Sequence, residues 1–178
     1  MRLFYAVDVE PGERLRSLLR EMRSIPGAKV MSPDSLHITL RFLGDQDPAM
    51  TTELCQALEE AVEGEGPFEM AFRSVGCFPG EHRPRVLWAG VEDGGALPRI
   101  VERLERRLQD MGLPGEARPF RPHLTLARLK RPDPSAMDGL SSWKGEELGS
   151  MTVSALRLKS SVLAPGGARH EDVCVRSL

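Results

Sequence analysis

An α+β fold with mainly antiparallel sheets is predicted for this 178-residue chain by three observations. Stretches of two-residue and of helical hydrophobic periodicity alternate along it. The chain closes on two strand-like segments around Pro165-Gly166-Gly167, a hairpin signal that a purely parallel sheet would not carry. One pattern also occurs in both halves: Ser35-Leu36-His37-Ile38-Thr39-Leu40 is answered by Arg121-Pro122-His123-Leu124-Thr125-Leu126. The two copies lie about half a chain length apart and use two of only four histidines, so duplication is the simple explanation.

The elements follow in order. Leu3, Tyr5, Val7 and Val9 alternate with Arg2, Phe4, Ala6 and Asp8 and predict a strand, which Pro11-Gly12 ends. Leu15, Leu18, Leu19, Met22 and Ile25 then recur at helical spacing, with arginines between them, and Pro26-Gly27 stops that helix. Leu36 to Leu43 alternate as a second strand. Asp47-Pro48 is a cap and first-turn pair for a helix with Met50, Leu54, Leu58, Ala61 and Val62 on its apolar face. Phe68, Met70 and Phe72 predict a strand, and Cys77-Phe78-Pro79-Gly80 a loop. Arg85 to Val91 reads as a buried strand. A helix from Ala96 carries Leu97, Ile100, Val101, Leu104, Leu108 and Met111 on one face and stops at Gly112. Phe120 to Leu129 is strand-like, residues 130–149 are loop-rich, and strands over Met151–Val162 and Glu171–Val175 complete the chain. No Pro- or Ser-rich linker divides it, so residues 1–178 are expected to form one domain.

Composition narrows the function classes. Hydrophobic residues at 40% and well-mixed charged residues at 28% describe a globular chain that buries about 70% of its unfolded surface. No apolar run is long enough to span a bilayer and no secretory segment is visible, so no membrane role is expected. Cys55, Cys77 and Cys174 are odd in number and lack CxxC spacing. That disfavours a disulfide framework or a zinc ribbon and predicts a reducing, cytoplasmic setting. A net charge of -2 excludes a generic nucleic-acid binder. Any phosphate chemistry has to be local.

The repeated motif can supply it. In a strand, residues two apart share a face, so His37 and Thr39 share one while Leu36, Ile38, Leu40 and Phe42 share the other. His123 and Thr125 oppose Leu124 and Leu126 in the same way. Two imidazoles in one cleft, each with an unperturbed pKa of about 6.5, can serve as acid and base. Threonine hydroxyls can hold phosphate oxygens, and a nearby arginine can offset their charge. Between Ala117 and Pro132 stand Arg118, Arg121, Arg128, Lys130 and Arg131 with no acidic residue. On charge alone that stretch reads as a solvated strand end; coupled to His123 it reads as a phosphate site.

These twin H-x-T-x motifs resemble the two-histidine (2H) phosphoesterase superfamily. Within it the chain is similar to the RNA 2′,3′-cyclic phosphodiesterases, also called 2′-5′ RNA ligases. The likeness extends from Arg2-Leu3-Phe4-Tyr5-Ala6-Val7-Asp8 through Leu36 to Gly44, Pro84 to Trp88 and Arg118 to Arg128, as far as Pro165-Gly166-Gly167-Ala168-Arg169. It implies a bilobal fold with pseudo-two-fold symmetry and flanking helices, the active-site cleft lying between the lobes. It implies opening of a 2′,3′-cyclic phosphate on RNA ends or cyclic nucleotides to a 2′-phosphate, with no metal, no cofactor and no obligate protein partner. Matching the motifs makes His37 the acid and His123 the base, although near-symmetry makes exchange of these roles physically easy. Thr39, Thr125 and Arg128 would bind phosphate.

Strict alternation puts Arg128 on the face opposite His123, so its role requires a bulge, a twist or the strand end. Arg41 shares the face of His37 and is a second candidate. Phe42 could stack on a base, but its alternation with Ile38 and Leu40 makes core packing the better reading. His170 stands where the family commonly has Tyr. His82 is expected on a surface loop and Cys77 as a structural thiol. No G-x-S-x-G, Walker A, G-x-G-x-x-G or H-E-x-x-H occurs, so those enzyme classes have no support. The competing class is a nucleotide- or RNA-binding module that keeps the cleft without turnover. Reversible 2′-5′ joining at the same site, with a 5′-hydroxyl replacing water, is a related possibility.

Overall fold

A computed structural model describing residues 1–178 has the expected α+β architecture. In chain order the elements are β1 (Arg2–Asp8), α1 (Glu13–Met22), β2 (Ala28–Val30), β3 (His37–Asp45), α2 (Thr51–Val62), β4 (Phe68–Phe78), β5 (Val86–Glu92), α3 (Ala96–Asp110), β6 (His123–Leu129), α4 (Ser135–Asp138), β7 (Glu147–Val153), β8 (Ala155–Ala164) and β9 (Gly167–Ser177). One antiparallel sheet has the order β3-β1-β8-β9, the other β2-β6-β5-β4-β7.

Local chemistry explains the boundaries. Leu15, Leu18, Leu19 and Met22 form the buried stripe of α1. Asp47 accepts a hydrogen bond from the Ala49 amide at 2.9 Å and opens a 3-10 turn that leads into α2. The Asp93 carboxylate accepts from the Gly95 and Leu97 amides at 2.9 and 2.8 Å, capping α3. Gly112 ends that helix region at φ +82°, a left-handed conformation that costs glycine nothing. A single hydrophobic cluster of 39 buried residues takes side chains from both sheets and from the three longer helices.

The sheets correspond strand for strand: β3, β1, β8 and β9 of the first match β6, β5, β4 and β7 of the second. In each half a strand, a helix and an antiparallel motif strand follow in sequence: β1-α1-β3 and β5-α3-β6. The next partner strand is exchanged. β4 belongs to the first half of the chain but pairs with β5, while β8 returns from the C-terminal side to pair with β1.

Four expectations are corrected. Cys77 and Phe78 continue β4 rather than forming a loop, because they pair with Leu87 and Val86. The segment Met151–Val162 is not one strand: it divides at Ser154 into β7 and β8, which join different sheets. Strand β6 begins at His123 rather than Phe120, while the stretch 130–149 is largely loop and turn as expected, around the short α4 and the start of β7. Finally, Cys55 on α2 and Cys174 on β9 are joined in a disulfide, leaving only Cys77 free. Cysteine usage therefore does not point to a reducing compartment. No helix is long and apolar enough to cross a membrane.

Candidate active site

Each motif histidine opens its strand and is anchored in the same way. The His37 Nδ1–H donates to the Ser35 carbonyl at 2.9 Å, and the His123 Nδ1–H to the Arg121 carbonyl at 2.8 Å. A carbonyl oxygen only accepts, so in the neutral ring the proton sits on Nδ1. Nε2 is left in both cases as the nitrogen free to accept or donate. Thr39 and Thr125, each two residues on and half-buried, share the face of their histidine.

The strand register decides what joins them. Along β3, His37 faces Asp8 and Thr39 faces Ala6, but Tyr5 faces Arg41, so Leu40 is an extra residue. Along β6, His123 faces Gly90 and Thr125 faces Trp88, but Leu87 faces Ala127, so Leu126 is extra. Both copies carry a β-bulge at the leucine that follows the threonine, and each bulge reverses the alternation beyond it. Arg128, opposite Val86, thereby returns to the face of His123 and Thr125. Phe42, opposite Phe4, joins the face of His37 and Thr39, with its ring 5.8 Å from that of Phe4 and 59% exposed. Phe42 and Arg128 are corresponding positions of the two halves.

Two sequence expectations fail for the same reason. Phe42 is not a core residue. Arg41 is turned to the buried side together with Leu40. Its guanidinium contacts Glu105 of α3 at 2.5 Å and Glu116 at 2.6 Å, and also donates to the Pro114 carbonyl. Arg41 is a brace between β3 and α3, not a phosphate ligand.

The surroundings of the two histidines differ. Around His37 the first sheet curls so strongly that rings from β1, β3 and β9 converge. His37 and His170 meet edge to face at 5.1 Å, and Phe4 lies 5.3 and 4.9 Å from them. Asp8, opposite His37, accepts from Lys159 Nζ at 2.8 Å, and the same ammonium donates to Asp172 at 2.7 Å. Arg157 contacts both carboxylates at 3.1 Å. Burial lowers the His37 pKa; the Ser35 carbonyl and Asp8 pull it up, while Lys159 and Arg128 push it down. Strands β3 and β6 are in contact, so charge on the second motif strand is felt by the histidine of the first. Burial and the neighbouring His37 lower His170 as well.

His123 has an aromatic setting instead. The Phe78 ring stands edge-on at 5.0 Å, and Trp88 lies 5.2 Å from Phe78. The indole crosses Gly76, where a Cβ would meet ring carbons at 2.3 Å, so only glycine fits beneath it. Asp8 opposite His37 thus has Gly90 as its counterpart opposite His123. Sequence reading missed Lys159 and Asp172, and it ranked base stacking by Phe42 below core packing. Only for Phe42 was a signal present, since its offset from His37 equals that of Arg128 from His123. His82 is exposed, as expected.

Comparison with known proteins places these features in context. The family model described as LigT like Phosphoesterase matches residues 7–88 and 91–170, one stretch in each half. The RNA 2′,3′-cyclic phosphodiesterase of Archaeoglobus fulgidus is 36% identical over 98% of this chain and 99% of its own. A crystal structure of a Thermus thermophilus protein superposes with a TM-score of 0.85 at 33% identity, covering 100% of this chain and 98% of that one. Escherichia coli LigT complexed with 3′-AMP shares the fold at a TM-score of 0.78 and 24% identity, over 99% of this chain and 97% of that one.

Proposed function

This chain belongs to the LigT-like phosphoesterase family, and we propose that it hydrolyses a 2′,3′-cyclic phosphate on RNA or a nucleotide to a 2′-phosphate with His37 and His123 as its acid and base. The observation that carries this reading is the pair of matched bulges. Each motif strand presents an Nδ1-anchored imidazole and a threonine hydroxyl ahead of its bulge, and the bulge in β6 returns the unpaired Arg128 guanidinium to that same face.

Water enters opposite the 3′ oxygen. His123 Nε2 takes its proton as the oxygen–phosphorus bond forms, the bond from phosphorus to the 3′ oxygen breaks, and His37 Nε2–H protonates that oxygen. The products are a 2′-phosphomonoester and a 3′-hydroxyl. Thr39 and Thr125 donate to the non-bridging oxygens, and Arg128 offsets the charge that grows on them. Phe42 offers an exposed ring against which a base can stack. Each half contributes one proton-transfer group, so the chain acts as one catalytic domain of two lobes. None of these steps calls for a metal ion.

An RNA bearing a 2′,3′-cyclic phosphate, incubated with the protein in EDTA, tests the reading. The expected product is a 2′-phosphate; a 3′-phosphate or a strict metal requirement overturns it. The pH profile supplies a second prediction. An acid must be protonated, so activity falls as pH rises through the His37 pKa. Burial lowers that pKa, which sets the alkaline limb of kcat/KM on the acid side of an ordinary imidazole, at about 6.5. Bound phosphate favours the imidazolium, so the corresponding limb of kcat is expected at higher pH.

A further inference from the structure

The short strand β2 carries a cation that the hydrolytic scheme does not use. Lys29 is the direct cross-strand partner of Arg128, whose face it shares. Directly opposed residues of an antiparallel pair have Cβ atoms about 5 Å apart, and like charges there destabilise the sheet. Neither side chain has a carboxylate partner, although the fold supplies such partners freely elsewhere. On α3, Arg99, Arg103, Arg106 and Arg107 each meet a glutamate, at 2.5 to 3.5 Å. Six cations without such a partner lie on or beside the second motif, and all are exposed: Lys29, Arg118, Arg121, Arg128, Lys130 and Arg131. A repulsive pair left uncompensated within one strand pair has no rationale in folding. It has one if an anion occupies it.

The place of the pair defines which anion. Lys29 Nζ lies against Gly167, at the start of the strand whose His170 ring meets His37 at 5.1 Å, so the pair flanks the reacting phosphate on the His37 side. The opposite side, around His123, is lined by Phe78 and Trp88 and is suited to an uncharged group. Lys29 Nζ rests against Gly167 at the tip of the β8–β9 hairpin, where an added Cβ would lie 3.3 Å from it. The bare glycine leaves the ammonium uncovered.

We propose that Lys29, together with Arg128, forms a second phosphate subsite that binds the internucleotide phosphodiester preceding the cyclic end, and that it makes the end of an RNA strand a better substrate than a cyclic mononucleotide. The assignment rests on the hydrolytic reading above, with Arg128 shared between the reacting phosphate and its neighbour and Lys29 serving the neighbour alone. A mononucleotide has no phosphate for Lys29 to hold.

The test compares kcat/KM for adenosine 2′,3′-cyclic monophosphate, a diribonucleotide and a hexaribonucleotide, the latter two ending in the same cyclic phosphate. The wild type is expected to prefer the dinucleotide over the mononucleotide. Lys29→Gln is expected to lose about tenfold on both oligonucleotides, the scale of one charge-assisted contact, and less than twofold on the mononucleotide. The salt dependence of oligonucleotide binding should flatten by about 0.7 in log–log slope, one counterion for a single strand. Lys29→Arg should retain the preference. Equal losses on all three substrates, or no loss on any, overturn the subsite. A wild-type protein that turns over none of the three overturns the hydrolytic reading itself, a separate outcome.

Discussion

Replacing either His37 or His123 by alanine is expected to lower kcat/KM on a 2′,3′-cyclic end by about 10² to 10⁴-fold, because each variant lacks one limb of the proton transfer. The fold should persist. Both rings are half-buried, and each makes one side-chain hydrogen bond, to a carbonyl two residues earlier, worth about 1 kcal/mol. Circular dichroism melts should therefore lie close to the wild type while turnover collapses. The double variant should be little worse than either single one, since half of a coupled proton transfer is nearly as ineffective as none. A substrate with a good leaving group, such as an aryl phosphodiester, separates the roles. It needs little protonation, so His37→Ala should recover on it and His123→Ala should not. Activity within tenfold of wild type on the cyclic end in either alanine variant would sink the scheme.

The second large effect concerns stability. The Cys55–Cys174 disulfide closes a loop with a sequence separation of 119. In the chain-entropy view, a crosslink of that span stabilises the folded state by about 4–5 kcal/mol. Reduction, or Cys55→Ser, should lower Tm by roughly 10 °C or more in a domain of this size. Cys77→Ser should leave the wild-type redox dependence of Tm unchanged, since Cys77 is not in the bridge. The bridge pins β9 to α2, where the Arg176–Glu59 contact at 3.2 Å also links them. Because β9 carries His170 and Asp172, hydrogen exchange along that strand should quicken on reduction. Equal melting temperatures with and without reductant would show that the crosslink contributes nothing.

What could be read in the sequence, and what could not, divides along a physical line. Periodicity is a property of an unbroken element, and the strands and helices it marks are present in the predicted order. The motif histidines and threonines precede the bulges, so alternation placed them correctly relative to one another. It failed at Arg41, Phe42 and Arg128, which lie just beyond Leu40 and Leu126, where one added residue reverses the alternation that follows. A leucine at a bulge looks like a leucine at any buried position. The division at Ser154 was equally hidden, because the segment lacks Gly or Pro and both flanking strands have ordinary strand composition. The disulfide depends on α2 packing against β9, a tertiary relation that cysteine spacing does not encode. Lys159 gave no sign either: its burial depends on Asp8 and Asp172 arriving from two other strands.

The exchange of β4 and β8 between the sheets bears on how the protein comes into being. As the chain emerges from a ribosome, β1 and β3 are made first, but β8, which pairs with β1 to extend their sheet, follows only after β4 to β7. The wall bearing His37 stays unfinished until residues near the C-terminal hairpin are free to thread home. Nor could the chain be cut at its midpoint into two self-sufficient halves, since each would lack an inner strand and offer an open edge in its place. Catalytic competence is therefore a property of the finished polypeptide, and a truncated one has no partial enzyme to offer.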